Sequence, residues 1–224
     1  MTSIVLLSGG LDSAVLLASE AQSAQVQPVY VSVGLAWEHA EQAMLAQLLP
    51  APAFKTRVLP LARVEFSMRD VYPPAHWAMR GSPPAYDTPD QDVYLAGRNL
   101  VLLTKAGVLA AAVGASRIVL GTLGGNPFPD ATPEFFQAMS RALSVGLAHE
   151  IDIDAPLATM LKSEAIVLGH QLGVPLEHTL SCMNPLDGAI PVHCGRCSKC
   201  RERRDAFAAA GVADPTAYAN PSPR

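Results

Sequence analysis

The chain has 224 residues, of which 50% are hydrophobic and 16% charged, and its formal net charge is −4 at pH 7. This length fits one domain, or one domain with a small appendage, and the apolar share allows a sizeable buried core. An acidic balance argues against a nucleic-acid partner, because nucleic-acid binders normally carry a basic face. The chain shows neither the basic and apolar start of a signal peptide nor the ~20 apolar residues of a membrane span, so we expect a cytoplasmic protein.

In the first third of the chain, short β-branched runs alternate with helical patterns. The predicted strands are 4–7, 29–33 and a weaker one at 55–59, and the predicted helices are 12–24 and 38–49. A proline-rich passage over 71–92 follows, and its prolines exclude a regular helix or a central strand. A loop of this length in a compact domain is usually functional or disordered.

The second half of the chain continues the alternation of strands and helices. The predicted helices are 99–113, 132–148, 163–172 and 201–210, and the predicted strands are 117–121 and 151–153. Strands that alternate with helices predict a Rossmann-like α/β fold, in which a doubly wound, mainly parallel sheet is covered on both faces. Ligands of such sheets bind beyond the carboxyl ends of the strands, which here are the turns after Leu7, Val33 and Leu120.

The turn after the first predicted strand has the composition of a phosphate-binding loop. It consists of Ser8, Gly9, Gly10, Leu11, Asp12 and Ser13. Two glycines let the backbone pass close to an anion, and the N–H groups at a helix start point toward it. Asp12 is either a helix cap or a ligand for Mg²⁺ beside the phosphates. The loop is neither a Walker A loop nor a G-x-G-x-x-G fingerprint, and a simple tight turn is the alternative.

All four cysteines lie in one segment near the end of the chain. They are Cys182, Cys194, Cys197 and Cys200, with the spacing C-x11-C-x2-C-x2-C. Thiolates at two-residue spacing can share a tetrahedral metal, and four of them predict a closed, structural zinc site without an open coordination position. Disulfides are the alternative, but they need an oxidising compartment, which the sequence does not indicate.

Several motifs together resemble one family of enzymes. The run from Ser8 to Ser13 matches the SGG-x-DS motif of the PP-loop ATP pyrophosphatases, and that run alone would specify only this superfamily. Three further segments, Gly97-Arg98-Asn99, Lys162-Ser163-Glu164 and the four-cysteine segment, are similar to those of the 7-cyano-7-deazaguanine synthases, also called queuosine biosynthesis protein C or ExsB. The resemblance runs nearly from end to end of the chain.

The resemblance implies an ATP-dependent ligase that converts 7-carboxy-7-deazaguanine to its nitrile with ammonia. This family adenylates the carboxylate, ammonia displaces AMP to give the amide, and a second adenylation followed by loss of AMP leaves the nitrile. The loop would then cradle the departing pyrophosphate, with Asp12 as a catalytic residue and Lys162 as a phosphate ligand. Arg98 is the candidate for the substrate carboxylate or the α-phosphate, because a guanidinium group binds such oxyanions in bidentate fashion. The alternative for Lys162 is an ordinary solvated lysine, and the alternative for Arg98 is a surface ion pair.

Two regions depart from the family pattern, and both lie where the substrate should bind. Residues 32–42 lack the family's aspartate-tyrosine-glycine-glutamine-arginine-histidine run, and residues 121–132 retain only Pro129-Asp130 of its D-x-SGYPDCR motif. We expect the substrate contacts to come from Arg98, Asn99, Asp130, Trp37 and Phe128. The two aromatic residues would stack on a planar base, with ordinary core packing as the alternative.

We expect the chain to divide into a PP-loop ATP pyrophosphatase domain at 1–178 and a zinc segment at 179–224 packed on it. The apolar content and a mean hydropathy of +0.22 predict a homodimer. Three other functions remain open. They are a related adenylating enzyme with a different acid or amine, a zinc-containing tRNA thiolation protein, and a non-catalytic nucleotide-binding module. A thiolation protein needs a catalytic cysteine, whereas a metal would occupy all four cysteines here.

Overall fold

A five-stranded parallel sheet with helices on both faces forms the centre of the computed structural model, which describes residues 2–221. The strands are β1 (Ser3–Leu6), β2 (Val26–Ser32), β3 (Ala62–Glu65), β4 (Arg117–Val119) and β5 (Asp152–Asp154). They lie in the order β3-β2-β1-β4-β5, and every pairing is parallel. The strand order reverses between β1 and β4, which is where a doubly wound sheet opens a crevice for ligands. The predicted fold class is confirmed.

Helices cover the sheet in two layers. They are α1 (Leu11–Glu20), α2 (Glu38–Leu48), α3 (Trp77–Arg80), α4 (Arg98–Val113), α5 (Pro133–Leu147), α6 (Lys162–Gln171) and α7 (Ser198–Ala210). Because side chains alternate along a strand, Ile4 and Leu6 of β1 point into the layer that holds α4 and α5, and Val5 points into the layer that holds α1, α6 and α7. Both layers are continuous apolar clusters.

The third strand lies elsewhere than the sequence predicts. The prediction of a strand at 55–59 is wrong, because Val58 makes only an isolated bridge to Val26, and the strand β3 begins at Ala62. Edge strands often carry charged residues, and β3 is an edge strand whose Arg63 and Glu65 are exposed. Its sequence therefore lacks the apolar run by which a central strand is recognised.

The proline-rich passage is more regular than predicted. It contains the short helix α3, so the exclusion of a regular helix over 71–92 is wrong for these four residues. His76 caps α3 by accepting a hydrogen bond from the N–H group of Ala78 at 3.2 Å, and Gly81 ends the helix with a left-handed φ of 68°. The stacked rings of Tyr72, His76, Trp77 and Trp37 fasten the passage to the start of α2.

Several other boundaries differ by a few residues. Helix α1 begins one residue earlier than predicted and ends at Glu20, and β2 begins at Val26, three residues early, although Pro28 lies inside it. Helix α7 begins at Ser198, three residues earlier than predicted, so its first turn includes Cys200. The two-residue spacing of Cys197 and Cys200 is compatible with a helical turn. Within residues 2–221, the helices are all too short or too polar to span a membrane.

Candidate functional site

A cleft opens at the carboxyl ends of β1, β2 and β4, and it has two connected chambers. The inner chamber, of about 260 Å³, has apolar walls from the ends of the strands, with Leu6, Val31 and Leu120 among them. The outer chamber, of about 310 Å³, is bounded by the phosphate loop, α6 and the zinc segment. Ser8, Gly10 and Asp12 line both chambers, so a ligand can extend from one into the other.

The loop between β1 and α1 is built to face an anion. Gly9 has a left-handed φ of 81°, and a Cβ atom at this position would lie 3.2 Å from the carbonyl oxygen of Glu41. Gly10 is the N-cap of α1 and offers no side chain, so the first N–H groups of the helix remain open to a ligand. The hydroxyl groups of Ser8 and Ser13 lie 3.4 Å apart beside them.

A chain of ion pairs crosses the outer chamber. The Nζ atom of Lys162 lies 3.3 Å from Oδ2 of Asp12 and 2.8 Å from Oε1 of Glu202. The other oxygen of Glu202 lies 2.7 Å from Nζ of Lys199, which also contacts Asp90 at 3.2 Å. Burial alone would lower the pKa of Lys162, but Asp12 and Glu202 outweigh burial and raise it. Lys162 is therefore a permanent cation beside the phosphate loop.

Two buried polar atoms point to ligands of this cleft. Among residues 2–221, neither Oδ1 of Asp12 nor Nε of Arg98 has a hydrogen-bond partner. Buried polar atoms in native proteins are nearly always paired, so such atoms in a cleft indicate contacts that a ligand or water would supply. An oxygen of Asp12 suits a hard cation such as Mg²⁺, and the guanidinium group of Arg98 suits an oxyanion.

A buried carboxyl group that the sequence did not single out, that of Glu41, lines the inner chamber and also borders the outer one. Tyr30 donates a hydrogen bond to Oε2 of Glu41 at 2.8 Å, and the indole N–H group of Trp37 donates one to Oε1 at 3.2 Å. Burial raises the pKa of Glu41 to about 7, against the opposing charge of Arg98. The four-residue spacing from Trp37 to Glu41, at the start of a predicted helix, could have predicted their contact, because residues four apart share one helix face.

The start of α4 brings the other predicted contacts to the inner chamber. Arg98, Asn99, Phe128 and Asp130 all line it. Asp130 accepts a hydrogen bond from the N–H group of Asn99 at 3.2 Å, and the amide group of Asn99 donates to the carbonyl oxygen of Asp130 at 2.9 Å. Burial raises the pKa of Asp130. Asp130 and Asn99 thus join the 121–132 loop to α4, and Phe128 stacks on Tyr94 at a centroid distance of 5.2 Å.

The loop after β2, which departs from the family pattern, is held in place by Glu38. Glu38 accepts hydrogen bonds from the hydroxyl group of Ser32 at 2.6 Å and from the N–H groups of Val33 and Gly34 at 2.7 and 2.9 Å. Trp37 lines the outer chamber, is 6% exposed, and packs against Trp77 with parallel rings 5.8 Å apart. One face of the predicted stacking residue is therefore already covered.

The four cysteines converge on one point. Their sulfur atoms all lie within 4.8 Å of one another, with Sγ–Sγ distances of 3.5 Å for Cys197 and Cys200 and 3.9 Å for Cys182 and Cys197. A zinc ion ~2.3 Å from four tetrahedral sulfurs holds them ~3.8 Å apart, so the cluster fits zinc. The N–H groups of Cys194 and Asn184 donate to the sulfur of Cys182, as suits a thiolate.

A buried arginine connects this cysteine cluster to the phosphate loop. Arg203 is fully buried and donates hydrogen bonds to Thr179 at 2.9 Å and Ser181 at 3.1 Å. Between those two residues, the N–H group of Leu180 donates to the carbonyl oxygen of Gly9 at 2.8 Å. Helix α7 therefore helps to hold the loop in place, although it begins nearly 190 positions further along the chain.

A parallel sheet with a glycine-rich loop after its first strand, and with lysines on the wall of the cleft, is typical of α/β proteins that bind a nucleotide polyphosphate. The family model described as "Queuosine biosynthesis protein QueC" matches residues 2–211. The chain belongs to this family. It is accordingly an enzyme, an ATP-dependent ligase of the PP-loop superfamily.

Three relatives show how far the similarity extends. A 7-cyano-7-deazaguanine synthase of Anaeromyxobacter dehalogenans (strain 2CP-C) is 35% identical over 96% of this chain and 95% of its own length. Proteins of the same name from Azoarcus sp. (strain BH72) and Methanopyrus kandleri are 35% and 32% identical, covering 96% and 97% of this chain and 96% and 98% of their own. These names favour the nitrile-forming assignment over a conjugate-forming or tRNA-modifying homologue.

Proposed function

We propose that the protein is an ATP-dependent synthase that converts 7-carboxy-7-deazaguanine and ammonia to 7-cyano-7-deazaguanine. The observation that carries this proposal is the two-chamber cleft of a chain that matches its family over 2–211. One chamber offers cations and open N–H groups to a polyphosphate. The other offers apolar walls and a buried carboxyl group to a planar ring. The two chambers adjoin at the phosphate loop, where an adenylation must occur.

The reaction needs two adenylations because oxide and hydroxide are poor leaving groups. A substrate carboxylate oxygen attacks the α-phosphorus of ATP, and pyrophosphate leaves. Ammonia then attacks the acyl carbon, AMP leaves, a proton is lost, and the amide remains. The amide oxygen attacks a second ATP, pyrophosphate leaves again, and the nitrogen loses one proton to give an adenylated imidate. Departure of AMP with loss of the second proton from nitrogen then forms the nitrile. The protein's part is to orient these groups and to stabilise developing charge.

The outer chamber supplies the groups for the phosphates. The N–H groups at the start of α1 and the hydroxyl groups of Ser8 and Ser13 bind the departing pyrophosphate, together with Lys162. Asp12 would hold Mg²⁺ through its unpaired oxygen, and the ion would neutralise phosphate charge there. Arg98 faces both chambers, so its guanidinium group can bind the substrate carboxylate or the α-phosphate.

The inner chamber supplies the groups for the deazaguanine ring. Tyr94 and Phe128 provide an aromatic surface, and the strand ends provide an apolar floor. A guanine-type ring presents two adjacent donors, the N1–H and 2-amino groups. An ionised Glu41, held in place by Tyr30 and Trp37, offers two acceptor oxygens that are complementary to this edge. Asp130 and Asn99 keep the 121–132 loop over the ring.

The zinc ion is structural in this proposal. All four cysteines are buried in the core cluster that also contains α4, and α7 packs on α6. We assign 1–178 to the ATP pyrophosphatase domain and 179–224 to the zinc segment. A homodimer is proposed because Val108 and Val145, on α4 and α5, are 51% and 77% exposed. Ammonia is proposed as the nitrogen donor.

The test is AMP release by the purified, zinc-loaded protein with ATP, Mg²⁺, ammonium and 7-carboxy-7-deazaguanine, with mass spectrometry of the product. We expect AMP release that depends on the acid, and a product with the mass of the nitrile. Acid-dependent AMP release that ends at the amide, or a complete lack of response to this acid, would contradict the proposal. Another deazapurine acid that releases AMP would then identify the substrate.

A further inference from the structure

The ion pairs of the outer chamber contain one carboxylate shared by two lysines from different helices. Glu202 of α7 contacts Lys162, the first residue of α6, at 2.8 Å and Lys199 of α7 at 2.7 Å. All three side chains line the same chamber as Ser8 and Gly10 of the phosphate loop. Glu202 therefore occupies, with respect to both ammonium groups, the place that a phosphate oxygen takes when a lysine binds ATP.

We propose that Lys199 is a second ligand for the polyphosphate of ATP, and that the carboxylate of Glu202 competes with the polyphosphate for Lys199 and Lys162. In the protein without nucleotide, Glu202 bridges the two cations and, together with Asp12 and Asp90, offsets their charge. When ATP binds, its phosphate oxygens replace Glu202 on both lysines. Glu202 thus sets the affinity for ATP without touching the reacting atoms.

The neighbours of Lys199 single it out within a strongly basic stretch. Arg201 donates to the carbonyl oxygen of Thr88, and Arg204 donates to the carbonyl oxygen of Gly195. Arg203 is buried, and its hydrogen bonds go to neutral oxygens. Lys199, by contrast, lines the outer chamber, and its ammonium group pairs with the carboxylates of Asp90 and Glu202. A more highly charged anion can replace these carboxylates.

The charges of the cluster also favour an exchange. Lys162 and Lys199 face three carboxylates, those of Asp12, Asp90 and Glu202. Glu202 is the carboxylate shared by both cations, and its side chain is 27% exposed, so it can turn toward water when it is replaced. Asp12 and Asp90 each contact one lysine and can keep the two ammonium groups in position during the exchange.

The position of Lys199 gives the zinc segment a part in binding. Lys199 lies between Cys197 and Cys200, at the first turn of α7. Four bonds to one metal ion would fix the backbone of this turn, and with it the origin of the Lys199 side chain. A flexible loop would lose entropy on ordering a lysine around a ligand, whereas a turn that the metal already orders loses less.

The test is equilibrium titration of a non-hydrolysable ATP analogue, with Mg²⁺, into the full-length zinc-loaded protein. We expect K199M to raise the Kd about tenfold through loss of a charge-assisted hydrogen bond. We expect E202Q to lower the Kd about fivefold, because the competing anion is gone. K55M and D205N remove an equal charge at exposed positions, the latter on α7, and should leave the Kd within about twofold of the wild type. Zinc content should be unchanged in all four variants.

Opposite directions for K199M and E202Q are the signature of competition. A purely structural ion pair would weaken nucleotide binding, or leave it unchanged, in both variants. An unchanged Kd in K199M, or an unchanged or raised Kd in E202Q, would overturn the inference. If E202Q fails to fold, K199M alone decides, and E202D should retain the wild-type Kd because it keeps the charge. The inference rests on the use of ATP in the proposed function, but the titration contains no acid and no ammonia. Its failure therefore leaves the identity of the acid untouched.

Discussion

The two chambers of the cleft hold their charged groups in different ways. In the outer chamber, Lys162, Glu202 and Lys199 are partly buried and form one ion pair between α6 and α7 and one within α7. In the inner chamber, Glu41 is 7% exposed and is held by two neutral donors, a phenol and an indole. Exchangeable ion pairs suit the binding and release of a polyphosphate. A carboxyl group that is immobile and shielded from water suits the recognition of one ring edge. A ring edge without matching donors would leave this buried carboxyl group without hydrogen bonds.

Loss of a zinc ligand should have the largest effect, because the zinc segment lines the outer chamber and holds the loop that lines both chambers. Cys200→Ser should abolish stoichiometric zinc binding and lower the free energy of unfolding by at least about 5 kcal/mol, since metal binding and folding are coupled at such sites. Urea unfolding and metal analysis measure both quantities. Met183→Leu, a volume-conserving change next to Cys182, is the control and should cost less than about 1.5 kcal/mol. A Cys200→Ser protein with normal stability would contradict a structural role for zinc.

Removal of the cation nearest the phosphate loop should damage the outer chamber alone. Lys162→Met should lower kcat/KM for ATP by about 10²- to 10³-fold, the usual effect of removing one preorganised group that stabilises transition-state charge. Steady-state AMP release measures it, and the exposed Lys55→Met variant is the control for loss of one positive charge. Activity within threefold of the wild type would show that Lys162 serves only as a partner for Asp12 and Glu202.

The buried carboxyl group of the inner chamber should make the free energy of unfolding depend on pH. Glu41 has a folded-state pKa of about 7, raised by burial, so its carboxyl group stabilises the fold when protonated and costs free energy when ionised. This contribution is fully present below the unfolded pKa and is lost as the pH rises through about 7. From pH 5 to pH 8 the wild type should lose about 2 to 3 kcal/mol relative to Glu41→Gln. Parallel pH profiles for the two proteins would contradict a buried, titrating Glu41.

The KM values for the two substrates should show which chamber binds which substrate. Glu41→Gln replaces one acceptor with a donor, so KM for 7-carboxy-7-deazaguanine should rise about tenfold while KM for ATP stays within about twofold. Glu38→Gln is the matched control, because Glu38 lies one turn earlier on α2 and its carboxylate accepts hydrogen bonds from the 32–34 loop. A rise in KM for ATP instead of the acid would place adenine, not deazaguanine, beside Glu41.

Much of this architecture could be predicted from local sequence patterns. The alternation of strands and helices predicts the doubly wound sheet, and the glycine pair after the first strand lies at its carboxyl edge as predicted. The close cysteine spacing predicts a cluster, and the structure brings the four sulfur atoms together. The edge strand β3 was missed because solvent-facing charges interrupt its apolar pattern.

The polar contacts of the site could not be predicted, because they join distant parts of the chain. Lys162 and Glu202 are 40 positions apart, and the pair forms only because α6 and α7 pack side by side. Glu41 resembles any polar residue of an amphipathic helix until Tyr30 of β2 is placed beneath it. Such pairings depend on the relative position of whole elements, which residue periodicity does not specify.

The stoichiometry of the reaction distinguishes a nitrile synthase from an amide-forming ligase. With the purified zinc-loaded protein, limiting 7-carboxy-7-deazaguanine, and excess ATP and ¹⁵N-ammonium, we expect two AMP to form per labelled nitrile, with labelled amide rising and then disappearing. One AMP per molecule of product, with the label ending in the amide, would contradict a nitrile synthase and show that the cleft supports a single adenylation.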